Sequence, residues 1–305
     1  MGLPLSKYVW FDGKYVATEK AQVPITTHAI HYGTSIFEGI RAYWNGKNLH
    51  IFRLDEHVKR FRKSGQFYDI SLNFTDKEIS DAIIGICKKN KIKKSCYIRP
   101  FYFVGQYGIN LHVTRKAPTH AVVFCFPFGD LFNKNGITAC ISKWKKFNDS
   151  STPTQAKMGG NYLNSILATQ DAKKRKFDEA ILLDKDNKVS EAPGENIFIV
   201  KNDILITPPL SSSALDGITR KSILEFSKSI KIKSKIKEIS SDELKKADEV
   251  FLTGTAAEIT PVIKIETKKI GNGKVGEITK QIMNAYSEIV MNNNKKFSKW
   301  LTNVY

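Results

Sequence analysis

The sequence predicts an α+β fold in two domains, and three observations carry that prediction. The chain has 305 residues, which is long for one domain and comfortable for two. Residues 1–127 read as strands, then helices, then strands again, as in a small α/β sandwich. Short strand-like runs dominate residues 137–305, where we expect a larger, β-rich domain. Residues 128–136 are polar, contain two glycines and are assigned to the interdomain linker.

Turn residues and periodicity place the individual elements. Asp12-Gly13 and Asn45-Gly46 are two-residue hairpin signals, each between two strand-like runs. In the first domain, helical periodicity covers about 54–67 and 76–89, and strand-like runs follow at 96–104 and 120–126. In the second domain we predict helices at 161–176, 218–229 and 277–291 and short strands at 179–183, 196–200, 204–207 and 249–253.

Composition excludes several classes of protein. Hydrophobic residues make up 41% and charged residues 26%, which rules out a disordered or collagen-like chain. The longest apolar run, Ala121 to Phe126, is far shorter than the roughly 20 residues that cross a bilayer. The N-terminus lacks the pattern of a signal peptide, and the four cysteines form no C-x-x-C pair. We therefore expect a cytoplasmic protein with no membrane partner.

The net charge is strongly positive. Lys and Arg number 48 against 30 Asp and Glu, which gives +18. A nucleic-acid-binding protein is one interpretation of this excess. However, the lysines are spread along the whole chain, and no compact basic block interleaves with aromatic residues. The sequence thus favours a solvated basic surface, no nucleic-acid partner and acidic small substrates.

Two segments could carry acid, base or nucleophile chemistry. Lys157 lies among small residues in Gln155-Ala-Lys-Met-Gly-Gly-Asn-Tyr162, just before a predicted helix. A lysine withdrawn from water has a lowered pKa and can form a Schiff base, although a surface lysine is the alternative. Glu191 ends a strand-like run and precedes Ala-Pro-Gly. It could keep a pyridine nitrogen protonated, or be an ordinary turn carboxylate.

Two further segments could bind an anion through backbone N–H groups. Ser211 to Arg220 contains Gly217 and Thr219 and precedes a predicted helix, an arrangement that suits phosphate or simple capping. Thr253-Gly-Thr-Ala-Ala257 resembles a second anion nest.

Two other patterns are set aside. Gly271-Asn-Gly-Lys-Val-Gly276 fits G-x-G-x-x-G, but only one helix follows it, so we predict a turn. His28 and His31 have helical spacing, yet no Cys or carboxylate cluster completes a metal site, so no metal is expected.

The order of the motifs is more informative than any one of them. Along the chain come His31-Tyr-Gly-Thr-Ser-Ile-Phe-Glu-Gly-Ile-Arg41, Tyr97-Ile-Arg-Pro100, the Lys157 segment, Ser190-Glu-Ala-Pro-Gly-Glu-Asn196, Ser213-Ala-Leu-Asp-Gly-Ile-Thr-Arg220 and Phe251-Leu-Thr-Gly-Thr-Ala-Ala-Glu-Ile-Thr-Pro261. This series closely resembles the branched-chain amino acid aminotransferases, pyridoxal-phosphate enzymes of the D-alanine aminotransferase-like fold (fold type IV). The resemblance covers the chain from about Tyr8 to the C-terminal helix.

The resemblance implies roles for particular residues. Lys157 matches the lysine that holds pyridoxal 5'-phosphate and shuttles the α-proton, and Glu191 matches the carboxylate on the ring nitrogen. The other implied cofactor contacts are Arg53, Tyr162, Leu215, Gly217, Ile218, Thr219, Gly254 and Thr255. The implied substrate contacts are Tyr32, Phe37, Gly39, Arg41, Tyr97, Arg99, Leu111, Phe128, Leu131, Thr255 and Ala256. Of these, Arg99 would accept the second carboxylate of L-glutamate, a bidentate task that suits guanidinium.

The implied activity is transfer of the amino group between L-leucine, L-isoleucine or L-valine and 2-oxoglutarate by a ping-pong mechanism. A D-amino acid aminotransferase and an aminodeoxychorismate lyase are alternatives on the same fold. Family members are dimers or trimers of dimers, so a homo-oligomer is implied, with Leu111 in the loop that caps the partner's pocket. Three positions depart from the family pattern: Phe128 and Leu131 replace the usual Trp and Tyr, and Asp216 replaces Pro beside the implied phosphate site.

Overall fold

Two β-sheets organise the chain, one in each of two units. The structure is a computed structural model that describes residues 6–305, so the first five residues of the predicted first domain lie outside it. The first unit comprises residues 6–129, 156–160 and 288–305, and the second comprises 130–155 and 161–287. The sequence prediction assigned 156–160 and 288–305 to the second domain. They join the first unit because Leu301–Asn303 pairs with Leu49–Phe52 and Met158 bridges to Ile36.

The described residues form 17 strands and seven α-helices. The strands are β1 (Tyr8–Phe11), β2 (Lys14–Ala17), β3 (Ser35–Phe37), β4 (Ile40–Trp44), β5 (Leu49–Phe52), β6 (Cys96–Val104), β7 (Thr119–Pro127), β8 (Ile137–Ile141), β9 (Glu179–Leu183), β10 (Val189–Glu191), β11 (Asn196–Lys201), β12 (Ile204–Thr207), β13 (Ser234–Ile236), β14 (Glu249–Gly254), β15 (Glu258–Ile265), β16 (Lys268–Lys269) and β17 (Leu301–Asn303). The helices are α1 (His28–Tyr32), α2 (Leu54–Gln66), α3 (Asp76–Lys89), α4 (Tyr162–Lys174), α5 (Ile218–Phe226), α6 (Ser241–Lys245) and α7 (Glu277–Val290).

The sheet of the first unit has the strand order β17-β5-β4-β6-β7-β1-β2, and β3 also pairs with β6. Its first hairpin is confirmed as a two-residue turn: Asp12 and Gly13 both have positive φ, and Phe11 pairs with Lys14. The second hairpin differs from the prediction. Trp44 pairs with Leu49, so the connection has four residues, and the Asn45 side chain accepts hydrogen bonds from the N–H groups of the two residues before Leu49.

Helices α2 and α3 contribute to the same hydrophobic core as this sheet. The buried stripe of α2 includes Leu54, Val58 and Phe61, which recur at helical spacing. Helix α3 starts in a capping box between Thr75 and Glu78. The predicted strands–helices–strands order is therefore confirmed, since strands 96–104 and 119–127 follow the two helices and form a nine-pair antiparallel ladder.

The second unit contains the larger sheet, with strand order β10-β9-β8-β15-β14-β11-β12-β13 and β16 paired to β15. Three of its pairings are parallel: β8 with β9, β8 with β15 and β12 with β13. Helix α5 ends earlier than predicted, at Phe226, and continues as a 3-10 turn over Ser227–Ile230. The predicted turn before α7 is present, with positive φ at Gly271 and Gly273.

Within residues 6–305, no helix combines the length and apolar character needed to cross a membrane. Across the same residues, no three His, Cys, Asp or Glu side chains are grouped so as to hold a metal ion. The predicted pair His28 and His31 lies on α1, where His28 Nδ1 is 2.9 Å from Thr34 Oγ1.

Candidate active site

Lys157 lies in a backbone segment that is held by β3 and α2. Its carbonyl accepts a hydrogen bond from Phe37 N–H (3.1 Å), and its own N–H donates to Ser64 Oγ (3.0 Å). A Cβ at Gly159 would lie 2.3 Å from Ser35 Oγ, so only glycine allows this close approach. The two glycines that follow Lys157 therefore serve backbone packing within the first unit.

The amine of Lys157 has an unusual environment. Its Nζ lies 4.9 Å from the centroid of the Phe37 ring. The pKa of Lys157 is lowered from 10.5 to about 8, because burial and Arg60 lower it while Glu38 and Tyr97 raise it only in part. A larger fraction of this amine is therefore neutral near pH 8 than for an ordinary lysine, which suits a nucleophile or a proton acceptor.

Beside this lysine lies a buried ion cluster that the sequence analysis missed. Glu38, which follows β3, is fully buried. Its carboxylate accepts two hydrogen bonds from Arg60 (2.6 and 2.9 Å) and lies 2.7 Å from His57 Nδ1. Glu38 is inside the quoted motif Ile36-Phe-Glu-Gly39, but its partners are 19 and 22 residues away on α2. No local pattern indicates that pairing.

Four of the predicted substrate contacts cluster in the first unit. Arg99 donates to Tyr97 Oη (3.0 Å), and its guanidinium stacks 4.6 Å from the centroid of the Phe37 ring. A Cβ at Gly39 would lie 1.9 Å from Tyr97 Oη, so glycine is required for the observed position of that phenol. Arg99 Nε is buried without a hydrogen-bond partner among residues 6–305. A carboxylate acceptor would satisfy it.

The predicted contact Arg41 lies between two rings of the same unit. Its guanidinium carbon is 5.1 Å from the centroid of Tyr43 and 5.2 Å from that of Phe128, and it donates to the Phe128 carbonyl (3.3 Å). Phe128, which stands where the family usually has Trp, therefore still offers an aromatic ring to this arginine, as a tryptophan would. Leu131, the second departure, belongs to the other unit and is 46% exposed.

Tyr32 and Leu111 lie towards the surface of the first unit. Tyr32 is 42% exposed, and its hydroxyl donates to the Ile109 carbonyl (3.4 Å). Leu111 is 75% exposed. In the single chain, the loop that contains Ile109 and Leu111 therefore presents apolar side chains to solvent.

The structure places Arg53 at the start of α2 with a positive φ of 53°. Its Nε lies 3.0 Å from Glu56 Oε1, and its guanidinium carbon lies 4.2 Å from the centroid of the Trp300 ring. The side chain is only 5% exposed. This cation is thus buried and held by residues from two parts of the first unit.

Glu191 is the centre of the polar cluster in the second unit. One oxygen lies 2.6 Å from Lys146 Nζ, and the other accepts hydrogen bonds from Asn196 Nδ2 (3.1 Å) and Leu215 N–H (2.9 Å). Burial lowers the pKa of Lys146, but Glu191 and Tyr162 outweigh it, so the pKa is raised overall. The carboxylate is therefore fixed in position and faces a permanent cation.

Lys146 is a further residue that the sequence analysis missed. It lies in the run Lys143-Trp-Lys-Lys-Phe147, where nothing distinguishes it from the other lysines of a basic chain. Its side chain is 14% exposed, whereas its neighbour Lys145 bonds to the Lys185 carbonyl at the surface. Only the tertiary structure separates the two.

The predicted phosphate-binding residues Ile218 and Thr219 open α5. Gly217 is its N-cap, no side chain of the described residues caps it, and its first turn has no acidic residue. Backbone N–H groups are therefore available to an anion there. Gly217 is required, because its Cβ would lie 1.8 Å from Asn196 Oδ1. The neighbouring departure, Asp216, pairs with Lys221 (2.5 Å), so its charge is balanced locally.

Gly254 ends β14, and Thr255, Ala256 and Ala257 form the connection from it to β15. Gly254 and Glu258 are cross-strand partners, and Thr253 Oγ1 donates to the Glu258 carbonyl (2.7 Å). Of the predicted nest Thr253 to Ala257, residues 254–256 are partly exposed and the two end residues are buried. Tyr162, the predicted cofactor contact, opens α4 in the same unit.

Of the sequence-predicted residues, the structure brings together Phe37, Gly39, Tyr97, Arg99 and Lys157 in the first unit. In the second unit it brings together Glu191, Leu215 and Gly217.

Comparison with known proteins identifies the family. The model of class IV amino-transferases matches residues 35–265. The branched-chain-amino-acid aminotransferase of Salmonella typhimurium is 40% identical over 283 residues, which are 92% of this chain and 91% of that protein.

Two solved structures share the fold over nearly the whole chain. A branched-chain aminotransferase from the archaeon Thermoproteus uzoniensis, crystallised with norvaline, has a TM-score of 0.95 and 40% identity and covers 98% of this chain and 100% of that one. The enzyme of Thermobaculum terrenum in its PLP-form has a TM-score of 0.93 and 32% identity, with 99% of each chain covered. These likenesses confirm the predicted fold class, and the chain is an aminotransferase that belongs to the class IV family, among the branched-chain-amino-acid aminotransferases.

Proposed function

We propose that this chain is a pyridoxal-phosphate transaminase that moves the amino group between branched-chain L-amino acids and 2-oxoglutarate. The observation that carries the proposal is Lys157, whose amine has a pKa lowered to about 8 beside an arginine suited to a carboxylate. The names of the relatives support the same substrate class, and norvaline in the archaeal structure is a straight aliphatic amino acid.

The donor set fits the cofactor. Backbone N–H groups at the start of α5 and the hydroxyl of Thr219 would bind its phosphate, together with Thr255 of the same unit. The resemblance also assigns Arg53 to the phosphate, whereas in the first unit this side chain is buried against Glu56 and Trp300. Glu191, fixed by Lys146 and Asn196, would bind the ring nitrogen. Leu215 and Tyr162 would contact the ring, with Gly217 and Gly254 leaving room for it. When bound, pyridoxal phosphate supplies an aldehyde for the amino group and a ring that stores an electron pair.

The protein's own residues then perform two tasks. Lys157 Nζ would take the proton from the substrate Cα and donate it to the former aldehyde carbon of the cofactor, which requires a neutral amine near physiological pH. Tyr97 Oη would orient the α-carboxylate, so that the Cα–H bond is presented to the lysine. The resemblance assigns the backbone of Thr255 and Ala256 to the same carboxylate.

We assign the choice of substrate mainly to apolar and cationic side chains of the first unit. Tyr32, Phe37 and Phe128 favour an aliphatic side chain, and Gly39 leaves space for it. The guanidinium of Arg99 would accept the second carboxylate of L-glutamate, and Arg41, the cross-strand partner of Tyr97, is assigned to the same substrate pocket. The resemblance also assigns Leu131, which belongs to the second unit, to the substrate. An apolar site with an arginine within reach can thus bind both the aliphatic side chain of a branched-chain amino acid and the second carboxylate of L-glutamate, the two substrates of a ping-pong cycle.

We also propose a homo-oligomer in the cytoplasm. On α4, Leu163, Ile166 and Leu167 are 66%, 51% and 39% exposed, which is unusual for one helix face. The exposed side chain of Leu111 is in keeping with a loop that contacts a second copy. The four cysteines are free and buried, as expected in a reducing compartment. Small-molecule substrates, rather than nucleic acid or membrane, are the proposed partners.

An absorption titration tests the proposal. We expect purified protein with pyridoxal phosphate to show a visible absorption band that bleaches with L-leucine and recovers with 2-oxoglutarate. Parallel samples with D-alanine and with aminodeoxychorismate separate the two alternatives on this fold. Protein that stays colourless after incubation with pyridoxal phosphate would contradict the proposal, as would bleaching by D-alanine alone.

A further inference from the structure

Three thiols lie together in the core of the first unit. Cys87 belongs to α3, Cys96 to β6 and Cys125 to β7, and all three are fully buried members of one hydrophobic cluster. They form no C-x-x-C pair, so no motif in the sequence indicates that they meet. No step of the proposed reaction uses them.

The strand register and α3 bring the thiols to one side of the sheet. Cys125 is the cross-strand partner of Ile98, and Cys96 lies two residues before Ile98 on β6. Side chains alternate along a strand and cross-strand partners share a face, so these three side chains point to the same side. Helix α3 lies on that side, since Cys125 Sγ is 4.0 Å from the carbonyl oxygen of Ile86. Cys125 is therefore next to the turn of α3 that contains Cys87.

The sulfur of Cys125 also has polar neighbours. Asn90 Nδ2 donates a hydrogen bond to it (3.8 Å), and Ser6 Oγ lies 3.7 Å from it. The pKa of Cys125 is lowered, first by its hydrogen bond with Cys87 and then by those with Ser6 and Asn90, which together outweigh burial. Hydrogen bonds of this kind favour the thiolate, which is the reactive form of cysteine.

Cys87 has the opposite character. The pKa of its thiol is raised well above the usual value, because it is hydrogen-bonded to Cys125 and Cys96 and is buried. Cys87 therefore keeps its proton while it faces Cys125. A reactive sulfur beside a second thiol is the arrangement in which an oxidised cysteine is converted to a disulfide.

The polar side of Cys125 is the side nearest to solvent. Ser6 and Asn90, which contact its sulfur there, are both half-buried, whereas the three thiols are enclosed. An oxidant as small as hydrogen peroxide can reach such a sulfur through local opening of the structure.

Cys140 in the second unit lacks this arrangement. It is also fully buried, but none of the other described residues in its hydrophobic cluster is a cysteine. Burial raises the pKa of its thiol to about 11. The chain thus contains its own control, a buried cysteine with no neighbouring thiol in its cluster.

We propose that Cys125 and Cys87 form a modification site for hydroperoxides, at which the two thiols are oxidised to a reversible disulfide. Transient disulfides of this kind are the ones that occur in reducing compartments. The site lies on the face of the sheet opposite to Tyr97 and Arg99, because these two residues alternate with Ile98 along β6. The inference is independent of the proposed function.

The reaction proceeds in two steps. Cys125 gives up its thiol proton and its sulfur attacks one oxygen of hydrogen peroxide; the O–O bond breaks, and the other oxygen leaves with that proton as water. The product is a sulfenic acid on Cys125. The sulfur of Cys87 then attacks the oxidised sulfur, the S–O bond breaks, and the hydroxyl leaves with the Cys87 proton as a second water. Two thiols are oxidised and one peroxide is reduced.

Peptide mapping of the folded full chain tests the site. Reduced protein, freed of reductant, is treated with hydrogen peroxide near neutral pH, its remaining thiols are alkylated in denaturant, and tryptic peptides are analysed by mass spectrometry. We expect one linked pair, Cys87 with Cys125, which disappears after treatment with dithiothreitol. Cys140 should be oxidised at least about 10-fold more slowly than Cys125, because less of its thiol is ionised.

Three results of this mapping would overturn the inference. They are the absence of a linked pair, a pair that joins Cys87 to Cys96, and equal rates of loss at Cys125 and Cys140. The same treatment in urea is the control for the fold and should give mixed pairs. A single Cys87–Cys125 pair in urea as well would mean that the folded structure does not select it, and would contradict the proposal.

Three variants assign the roles of the thiols. Cys125→Ser should abolish the disulfide, and Cys96→Ser should keep it. Cys87→Ser removes the second thiol and should leave Cys125 as a sulfenic acid, which dimedone traps as a stable adduct. Loss of the disulfide in a folded Cys96→Ser variant, or a dimedone adduct on Cys96 in place of Cys125, would overturn the assignment. If circular dichroism shows that a variant is unfolded, the mapping of the parent protein decides by itself.

Discussion

Each of the two units contains a lysine that is largely buried. Compared with an ordinary lysine, the pKa of one amine is lowered and the pKa of the other is raised. Lys157 in the first unit has a pKa lowered to about 8, because burial and Arg60 act together and Glu38 compensates only in part. Lys146 in the second unit is also buried, yet its pKa is raised because Glu191 lies 2.6 Å away. Burial alone therefore does not determine the charge of a lysine; its nearest partner does.

This difference corresponds to two tasks. A lysine that is neutral near pH 8 can take a proton, whereas one that stays charged can only hold a carboxylate in place. We assign the first task to Lys157 and the second to Lys146. The following predictions test that division, beginning with the largest expected effect.

Replacing Lys157 should have the largest consequence. We expect Lys157→Ala to reduce turnover of L-leucine with 2-oxoglutarate by at least about 10³-fold, because the variant has no amine to accept the α-proton. Steady-state kinetics measure the loss. Lys145→Ala, a surface lysine of the second unit, is the control and should retain parent turnover; near-normal turnover in Lys157→Ala would refute the role.

Replacing Lys146 should mainly affect stability. Lys146→Met leaves Glu191 buried without its cation, which costs about 3 kcal/mol in free energy of unfolding. Urea denaturation measures the change. Lys146→Arg keeps a cation and should recover most of the stability. Equal stability of the parent and the Met variant would mean that the pair contributes nothing to the folded state.

The pH dependence of stability should distinguish the two lysines. Between pH 8 and 10.5 the unfolded chain binds a proton at Lys157 that the folded chain has lost, so stability should rise with pH. Relative to Lys157→Met, the parent should gain at most about 3 kcal/mol across that window.

Lys146 should behave differently in the same experiment. Its pKa in the folded state is raised, so its stabilising contribution is fully present below 10.5 and is lost only above it. The difference between the parent and Lys146→Met should therefore be constant from pH 7 to 10. The comparison would be contradicted if the stability difference between the parent and Lys157→Met did not change with pH. It would also be contradicted if the difference between the parent and Lys146→Met did change over this range.

Two glycines provide the smallest expected effects, one in each unit. Gly39→Ala should displace Tyr97, and Gly217→Ala should displace Asn196, because the new Cβ would lie within 2 Å of their oxygens. We expect each to lose about 2 kcal/mol of stability. Gly39→Ala should also raise KM for L-leucine, since Tyr97 is assigned to the carboxylate.

The control for both is Gly129→Ala, whose Cβ would meet nothing within 4 Å. Denaturation and steady-state kinetics measure all three variants. If Gly39→Ala equals this control in stability and in KM for L-leucine, then neither the folded state nor substrate binding requires the observed position of Tyr97.

Much of the fold could be predicted because its signals are local. The helix 76–89 was predicted with both ends correct, since apolar spacing and the Thr75 capping box act within one helix. The Asp12-Gly13 hairpin followed from two residues that tolerate positive φ. The four-residue connection at 45–48 was missed because Asn45-Gly46 also suits a longer turn, which the Asn45 side chain stabilises.

The sequence by itself determined the order of the elements, the family and the identity of Lys157 and Glu191 as candidates, because motifs and turn residues are read along the chain. Only the tertiary structure decided that residues 156–160 join the first sheet, that Lys146 rather than Lys145 pairs with Glu191, and that Arg60 lies near Lys157. These facts depend on contacts between residues from about 45 to about 120 positions apart, and electrostatic effects fall with distance in space and not in sequence.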